Sequence, residues 1–267
     1  MKQIYLLLIL IFSVLELFSQ QNDSIIVPQN AKGRFSGLIN VQDLGTEENN
    51  FGAEKFEGNW SGIEFGLNGF AGPDYSAYQE SDGHFLSNDV LRSNVLNLNL
   101  LQYSKGLQQF RNNFGVITGL GLSFKSYRLD QNRTIFQDET GKIQPMQLYY
   151  DSSQKSKFSL LYLDIPLLLE IQIPVNHINN RFYFSAGLVG SKLLEAHTKI
   201  KYRKDGKKEK LKSPGDYGIN DYKVAATVRL GYRWINVFAS YDLVPLFEER
   251  KGPELYPFSA GIRLISF

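Results

Sequence analysis

The sequence predicts an all-β fold, an eight-stranded antiparallel up-and-down transmembrane β-barrel, and three observations predict it. The first is period. Apolar and polar residues alternate at every second position in eight segments, the spacing of a strand with one dry and one wet face. Segment 60–70 sets Ile63, Phe65 and Leu67 against Gly62, Glu64 and Gly66, and segment 94–103 sets Leu96, Leu98 and Leu100 against Asn97 and Asn99. Segment 114–127 opposes Phe114, Val116, Leu120, Leu122 and Phe124 to Gly115, Gly119, Gly121, Ser123 and Lys125. Segment 158–173 opposes Leu161, Leu163, Ile165, Leu167, Leu169 and Ile171 to Tyr162, Asp164, Glu170 and Gln172. Segment 181–194 follows with Phe182, Phe184, Ala186 and Leu188 against Tyr183, Ser185, Gly187 and Ser191. Segment 223–234 sets Val224, Ala226, Val228 and Leu230 against Thr227, Arg229, Gly231 and Arg233. The last two, 235–246 and 257–267, present Val237, Ala239 and Tyr241, then Phe258, Ala260, Ile262 and Leu264, on one face.

The second observation is the connections: 71–92, 104–113, 128–157, 174–180, 195–222, 233–236 and 247–256 alternate long and short. Long loops at one end and tight turns at the other are what a membrane barrel with two unlike surroundings produces. The third is the sign of the polar face, where Glu64, Asp164, Glu170 and Asp242 balance Lys125, Arg229, Arg233 and Arg263. In a membrane barrel the apolar face meets lipid and the polar face lines the lumen. An eight-stranded barrel is narrow enough for side chains to fill it, so these eight charges are expected to form a buried, paired network. The aromatics near strand ends, among them Trp60, Phe70, Tyr127, Tyr202, Trp234, Phe247 and Tyr256, suit interfacial girdles.

Composition agrees. The chain has 267 residues, no Cys, 43% hydrophobic content and 13% aromatic content, with Gly at 23 positions. The lack of Cys excludes a disulfide scaffold, a thiolate metal site and a Cys nucleophile. A net charge of +2 gives no global field for nucleic acid, and no motif for a cofactor, a metal or a catalytic set is present. Residues 1–20 read as a signal peptide, with Lys2 before an apolar Ile4–Leu15 core. Export to the cell outer membrane is expected, with 21–57 as a periplasmic lead segment, 58–267 as the barrel, and both termini on the periplasmic side. Phe267 resembles the terminal aromatic that the barrel-insertion machinery reads.

WSGIEFGLNGF, LYLDIPLLLEIQIP, RFYFSAGLVGSKLLEAHTKIKY and GPELYPFSAGIRLISF resemble the outer-membrane β-barrel proteins of the Bacteroidota, the PorT-like and OmpA-type small barrels. The resemblance covers about 56–267 and implies an outer-membrane barrel without an enzymatic signature. For the PorT-like members it also implies a role in protein secretion or envelope assembly, with an envelope protein as partner.

The third long loop is basic: Lys199, Lys201, Arg203, Lys204, Lys207, Lys208, Lys210 and Lys212 are diluted by Asp205 and Glu209. It is expected to form a hairpin turning at Asp205–Gly206, either solvated or in contact with lipopolysaccharide phosphates. The role expected is structural, or surface binding through the outer loops, with outer-membrane lipid as the surroundings. A narrow solute channel and a rim-active lipid or peptide hydrolase are the alternatives. The hydrolase would draw on Ser191, His84 or His197, and Asp82 or Glu195.

Overall fold

The computed structural model describes residues 56–78, 83–108, 112–129, 132–150, 154–175, 177–204 and 207–266. The expected signal peptide, most of the lead segment, Asp205–Gly206 and Phe267 lie outside these residues. Eleven strands are present among the described residues: β1 Gly62–Asp74, β2 Asn94–Gly106, β3 Phe114–Arg128, β4 Arg133–Gln137, β5 Ile143–Gln147, β6 Lys155–Val175, β7 His177–Lys204, β8 Lys207–Pro214, β9 Tyr222–Tyr232, β10 Ile235–Asp242 and β11 Glu254–Ile265.

Eight of them, β1, β2, β3, β6, β7, β9, β10 and β11, pair with their chain neighbours, and β1 pairs β11 to close the ring. Every pairing is antiparallel, so the fold is the expected up-and-down barrel. Closure removes the unpaired edges that an open sheet would expose. The short connections, including the reversal at Arg233–Trp234, lie at the end where β1 begins and β11 finishes (the terminal end). The long ones lie at the other (the loop end).

The faces follow the predicted parity. Val228 is 44% exposed on the outer surface while its neighbours Thr227 and Arg229 are buried. Ile63, Val116 and Leu163 likewise lie on the outer face beside buried Glu64, Ile117 and Asp164. On β6 the outer face runs from Leu161 to Ile173, the latter 54% exposed. At about 3.3 Å per residue and a tilt near 45°, that apolar run is about 28 Å tall, the height of a bilayer's hydrocarbon band. An apolar belt of this size around a whole molecule has no stable exposure to water. No helix among the described residues is long and apolar enough to cross a membrane; the strands do the crossing.

Three features differ from the sequence reading. The 128–157 connection contains its own hairpin, β4–β5. Strand β2 carries a bulge between Asn99 and Leu101, which shifts the inward set from Asn97 and Asn99 to Gln102 and Ser104. Strand β7 is far longer than 181–194: past a second irregularity near Leu194 it continues between β6 and β8. A bulge inserts one residue and moves every later side chain to the other face.

Candidate functional site

The lumen holds seven of the eight expected charges. Toward the loop end, the Asp242 carboxylate accepts from Lys223 Nζ at 2.8 Å and lies 3.4 Å from Lys125 Nζ. Lys223 also lies over the Tyr162 ring, 4.6 Å from its centroid. Asp164 accepts a hydrogen bond from the Ser123 hydroxyl. Toward the terminal end, Glu64, 1% exposed, pairs with Arg229 and lies 3.7 Å from Arg263 Nε. Asn97 Nδ2 donates to the same carboxylate at 3.1 Å. Glu170 accepts from Asn59 Nδ2 at 2.7 Å, Gln172 Nε2 at 2.7 Å and Ser185 Oγ at 2.5 Å. Buried charges persist only when paired and hydrogen-bonded in this way.

Arg233 is a correction. The chain reverses at this residue with φ 56°, and its side chain is exposed at the terminal end. The strand parity that would aim it inward stops at Tyr232. Lys223 takes its place in the lumen. It shares the inward parity of Thr227 and Arg229 and was missed because it opens its segment.

The segment before β1 is the larger omission. Residues 56–61 enter the terminal mouth and are held there by the wall. Gln102 Oε1 accepts from the Trp60 and Ser61 amides at 2.6 and 2.9 Å, and Gln102 Nε2 donates to the Gly58 carbonyl at 2.9 Å. Asn99 Nδ2 donates to the Trp60 carbonyl at 3.1 Å, and Arg263 donates to that of Asn59. Trp60, 4% exposed, is therefore not a girdle residue. It packs with Phe56, Ile117, Leu168 and Val189, and the Arg229 guanidinium lies 4.3 Å over its ring. Glycine makes this plug possible, since a Cβ at Gly115 would run into the Phe56 ring.

The loop end is closed differently, by an apolar cap. Phe85, Leu86, Ile135, Ile143, Ile219, Leu246 and Phe247 come from the long loops and pack on Tyr127, Phe158, Leu160 and Tyr162 from the wall. Tyr127 and Phe247 thus also leave the expected girdle for the interior. Trp234, 81% exposed, remains outside as expected of an interfacial aromatic, and Tyr222 and Tyr241 are exposed as well. Between plug and cap lies a cavity of about 40 Å³ lined by Glu64, Lys125, Asp164, Lys223 and Arg229, room for a few waters.

The basic hairpin is present as an extension of the wall: β8 pairs β7 from His197–Pro214 to Lys204–Lys207. Its cations do not scatter. Arg128, Lys157, Lys199 and Lys212 stand opposite one another across β3, β6, β7 and β8, and Lys155, Lys201 and Lys210 form a second row. Arg203 faces Lys208 in a third. Among the described residues, Glu195 is the carboxylate that reaches this face, 2.8 Å from Lys212 Nζ and 3.2 Å from His197 Nδ1.

Of the hydrolase alternative's residues, His197 and Glu195 meet on the outer face, but Ser191 does not join them. Ser191 points into the lumen, His197 lies on the outer face beyond the bulge, and His84 stacks on Tyr75 at 4.7 Å. Asp82 lies outside the described residues.

A closed antiparallel ring with an apolar outer belt, a polar paired interior and loops grouped at one end defines an integral β-barrel membrane protein. The model of the outer membrane protein beta-barrel domain family matches residues 61–248, and the chain belongs to that family. The match stops before β11, the strand that closes the ring on β1. No curated protein and no solved structure matches the chain. The protein is an integral outer-membrane barrel.

Proposed function

We propose that this barrel is a sealed, non-enzymatic surface protein that acts through its loop end and not through its lumen. The observation that supports this reading is the double closure. The terminal mouth is filled by hydrogen-bonded residues 56–61, the loop end by an apolar cap, and the charges between them are ion-paired or hydrogen-bonded within the lumen. A conducting lumen needs a continuous wet path, and the cavity between plug and cap has room for a few waters. In this reading the termini face the periplasm, residues 1–20 direct export, and the loop end faces outside.

The test has two arms. The full chain reconstituted in a planar bilayer is expected to show baseline conductance, and steady open-channel currents would overturn the sealed-lumen reading. On intact cells, an impermeant amine reagent is expected to label lysines 207–212; labelling only after the outer membrane is breached would overturn the topology.

A PorT-like place in secretion or envelope assembly is the second reading, and the plug favours it. Residues 56–61 sit at the terminal mouth, the end at which a periplasmic partner would meet the barrel in this reading. Crosslinking from position 57 to an envelope protein in cells would support this role, and capture of lipid alone would argue against it.

A further inference from the structure

The cationic rows described above lie on one face of β3, β6, β7 and β8, and that face is the lipid face. On β6, Lys155, Lys157 and Ser159 continue the parity of Leu161, Leu163 and Ile165 without a break. On β3, Arg128 continues the parity of Phe124 and Ser126. The row Ser126–Ser159–His197 comes directly above the apolar belt, and the row Arg128–Lys157–Lys199–Lys212 comes two residues further up. At about 3.3 Å per residue on a tilted strand, this first cation row stands roughly 10 Å above Leu161. That is the depth of lipid head groups.

Spacing points the same way. Cations on neighbouring strands are about 5 Å apart and those two residues apart on one strand about 7 Å, so several ammonium groups reach a single phosphate. Like charges placed directly opposite are unfavourable in a bare sheet. The lumen shows how this fold neutralises cations when it does so itself: Asp242 serves Lys125 and Lys223, and Glu64 serves Arg229 and Arg263. Here, among the described residues, Glu195 is the carboxylate that reaches the face, and it pairs with Lys212.

We propose that this outward cationic face binds the phosphate groups of lipids in the leaflet at the loop end, holding anionic head groups against the β6–β7–β8 extension. The inference rests on the proposed placement of the loop end only for which leaflet is engaged; the head-group chemistry stands without it. The site is flat and open along the membrane, which suits a ligand presented by the bilayer rather than one arriving in solution.

The experiment uses the full chain in phosphatidylcholine vesicles with a trace of spin-labelled lipid. Spin-labelled phosphatidic acid is expected to be enriched in the motionally restricted shell over spin-labelled phosphatidylcholine by roughly fivefold, about the effect of one lysine near a charged surface. The triple variant Lys157→Gln/Lys199→Gln/Lys201→Gln is expected to lose this preference. A control that also removes three charges, Arg92→Gln/Arg233→Gln/Arg250→Gln, is expected to keep it. The triple variant removes repulsion, so it is expected to fold; the mobility shift of the unheated barrel on gels checks this. Equal association of the two lipids with the native chain would overturn the proposal, as would equal loss in the control. In a third arm, soluble polyphosphate is added to phosphatidylcholine vesicles. Binding of polyphosphate without enrichment of phosphatidic acid would assign the face to a soluble polyanion and overturn the lipid assignment. None of these outcomes bears on conductance, so failure here is distinguishable from failure of the sealed-lumen reading.

Discussion

Two sets of cations lie on opposite faces of the barrel wall and obey opposite rules. Inside, Lys125, Lys223, Arg229 and Arg263 each find a carboxylate or a carbonyl, and the interior contains as many acids as bases. Outside, on the far side of the same wall, Lys157, Lys199 and Lys201 face other cations across every strand boundary. The inner set has no access to bulk counterions, so a missing partner would leave a bare charge in a low-dielectric space. The outer set is reached by water, salt and head groups, so its repulsion is tolerable and open to relief from outside. The difference teaches that the inner charges hold the barrel shut, and that the outer ones are arranged for something the chain does not itself supply.

The sharpest way to break this comparison is to remove an inner partner. Asp242→Asn leaves Lys125 and Lys223 without the carboxylate they share. A loss of about 3–5 kcal/mol is expected, the usual cost of stranding one side of a buried pair. Urea unfolding of the refolded barrel, read by gel mobility, measures it; a loss under about 1 kcal/mol would mean the lumen is wet enough to solvate the lysines. Trp60→Ala comes next. It empties the apolar part of the plug and takes away the ring beneath Arg229. About 3 kcal/mol is expected, at the low end for an aromatic truncation, because polar neighbours allow water into the gap. Unchanged stability would show that the hydrogen bonds from Gln102 and Asn99 hold residues 56–61 without the ring.

Much of this contrast was legible in the sequence. Parity alone placed Glu64, Asp164, Glu170, Asp242, Lys125, Arg229 and Arg263 on one face of the wall, because a strand has only two faces and one of them had to meet lipid. What parity could not give were the places where it changes. The bulges near Leu100 and Leu194 are single residues with no compositional mark, yet the first aims Gln102 and Ser104 at the plug and past the second β7 continues between β6 and β8. Arg233 was misplaced for the same reason, since a turn ends the alternation one residue earlier than the residue types suggest. The plug was hidden because its contacts join residues about 40 to 200 positions apart, such as Ser61 with Gln102 and Asn59 with Arg263. The cap had a readable trace: Phe158, Leu160 and Tyr162 share the inward parity of Asp164, so the inner face of β6 turns apolar toward the loop end. The basic rows required the register of four strands, which no single segment contains.

The outer set is tested by the opposite sign. Lys201 stands between Lys155 and Lys210, so Lys201→Thr removes two like-charge pairs and adds a residue that favours strands. A gain of about 0.5 kcal/mol is expected in detergent at low salt, shrinking as salt screens the repulsion. A destabilised Lys201→Thr barrel would mean that the lysine stem packs on its neighbours, and the comparison would need redrawing. An anionic lipid is expected to abolish the gain by supplying the same relief to the native chain.

The smallest effect belongs to a charge that follows neither rule. Asp138 sits in the exposed turn between β4 and β5, where its Oδ1 accepts from the Thr140 hydroxyl at 2.6 Å and from the Thr140 and Lys142 amides at 2.9 Å. The Thr140 hydroxyl, then the Gln144 amide at Oδ2, hold the carboxyl down to about 2, against 3.8 without them. The group is depressed in the folded chain, so its contribution is complete above 3.8 and disappears as pH falls through about 2. Amide exchange at Thr140 and Lys142 is therefore expected to speed up, relative to the intrinsic rate, between pH 5 and pH 2, while the barrel amides of β6 keep their protection. In Asp138→Asn the neutral amide has no proton to take up, and the change across that window is expected to vanish. Acid-induced opening that persists in Asp138→Asn would place the sensitivity elsewhere in the loop end. Opening that spreads to β6 would mean that the cap and the inner charges unfold together, which their separate packing does not predict.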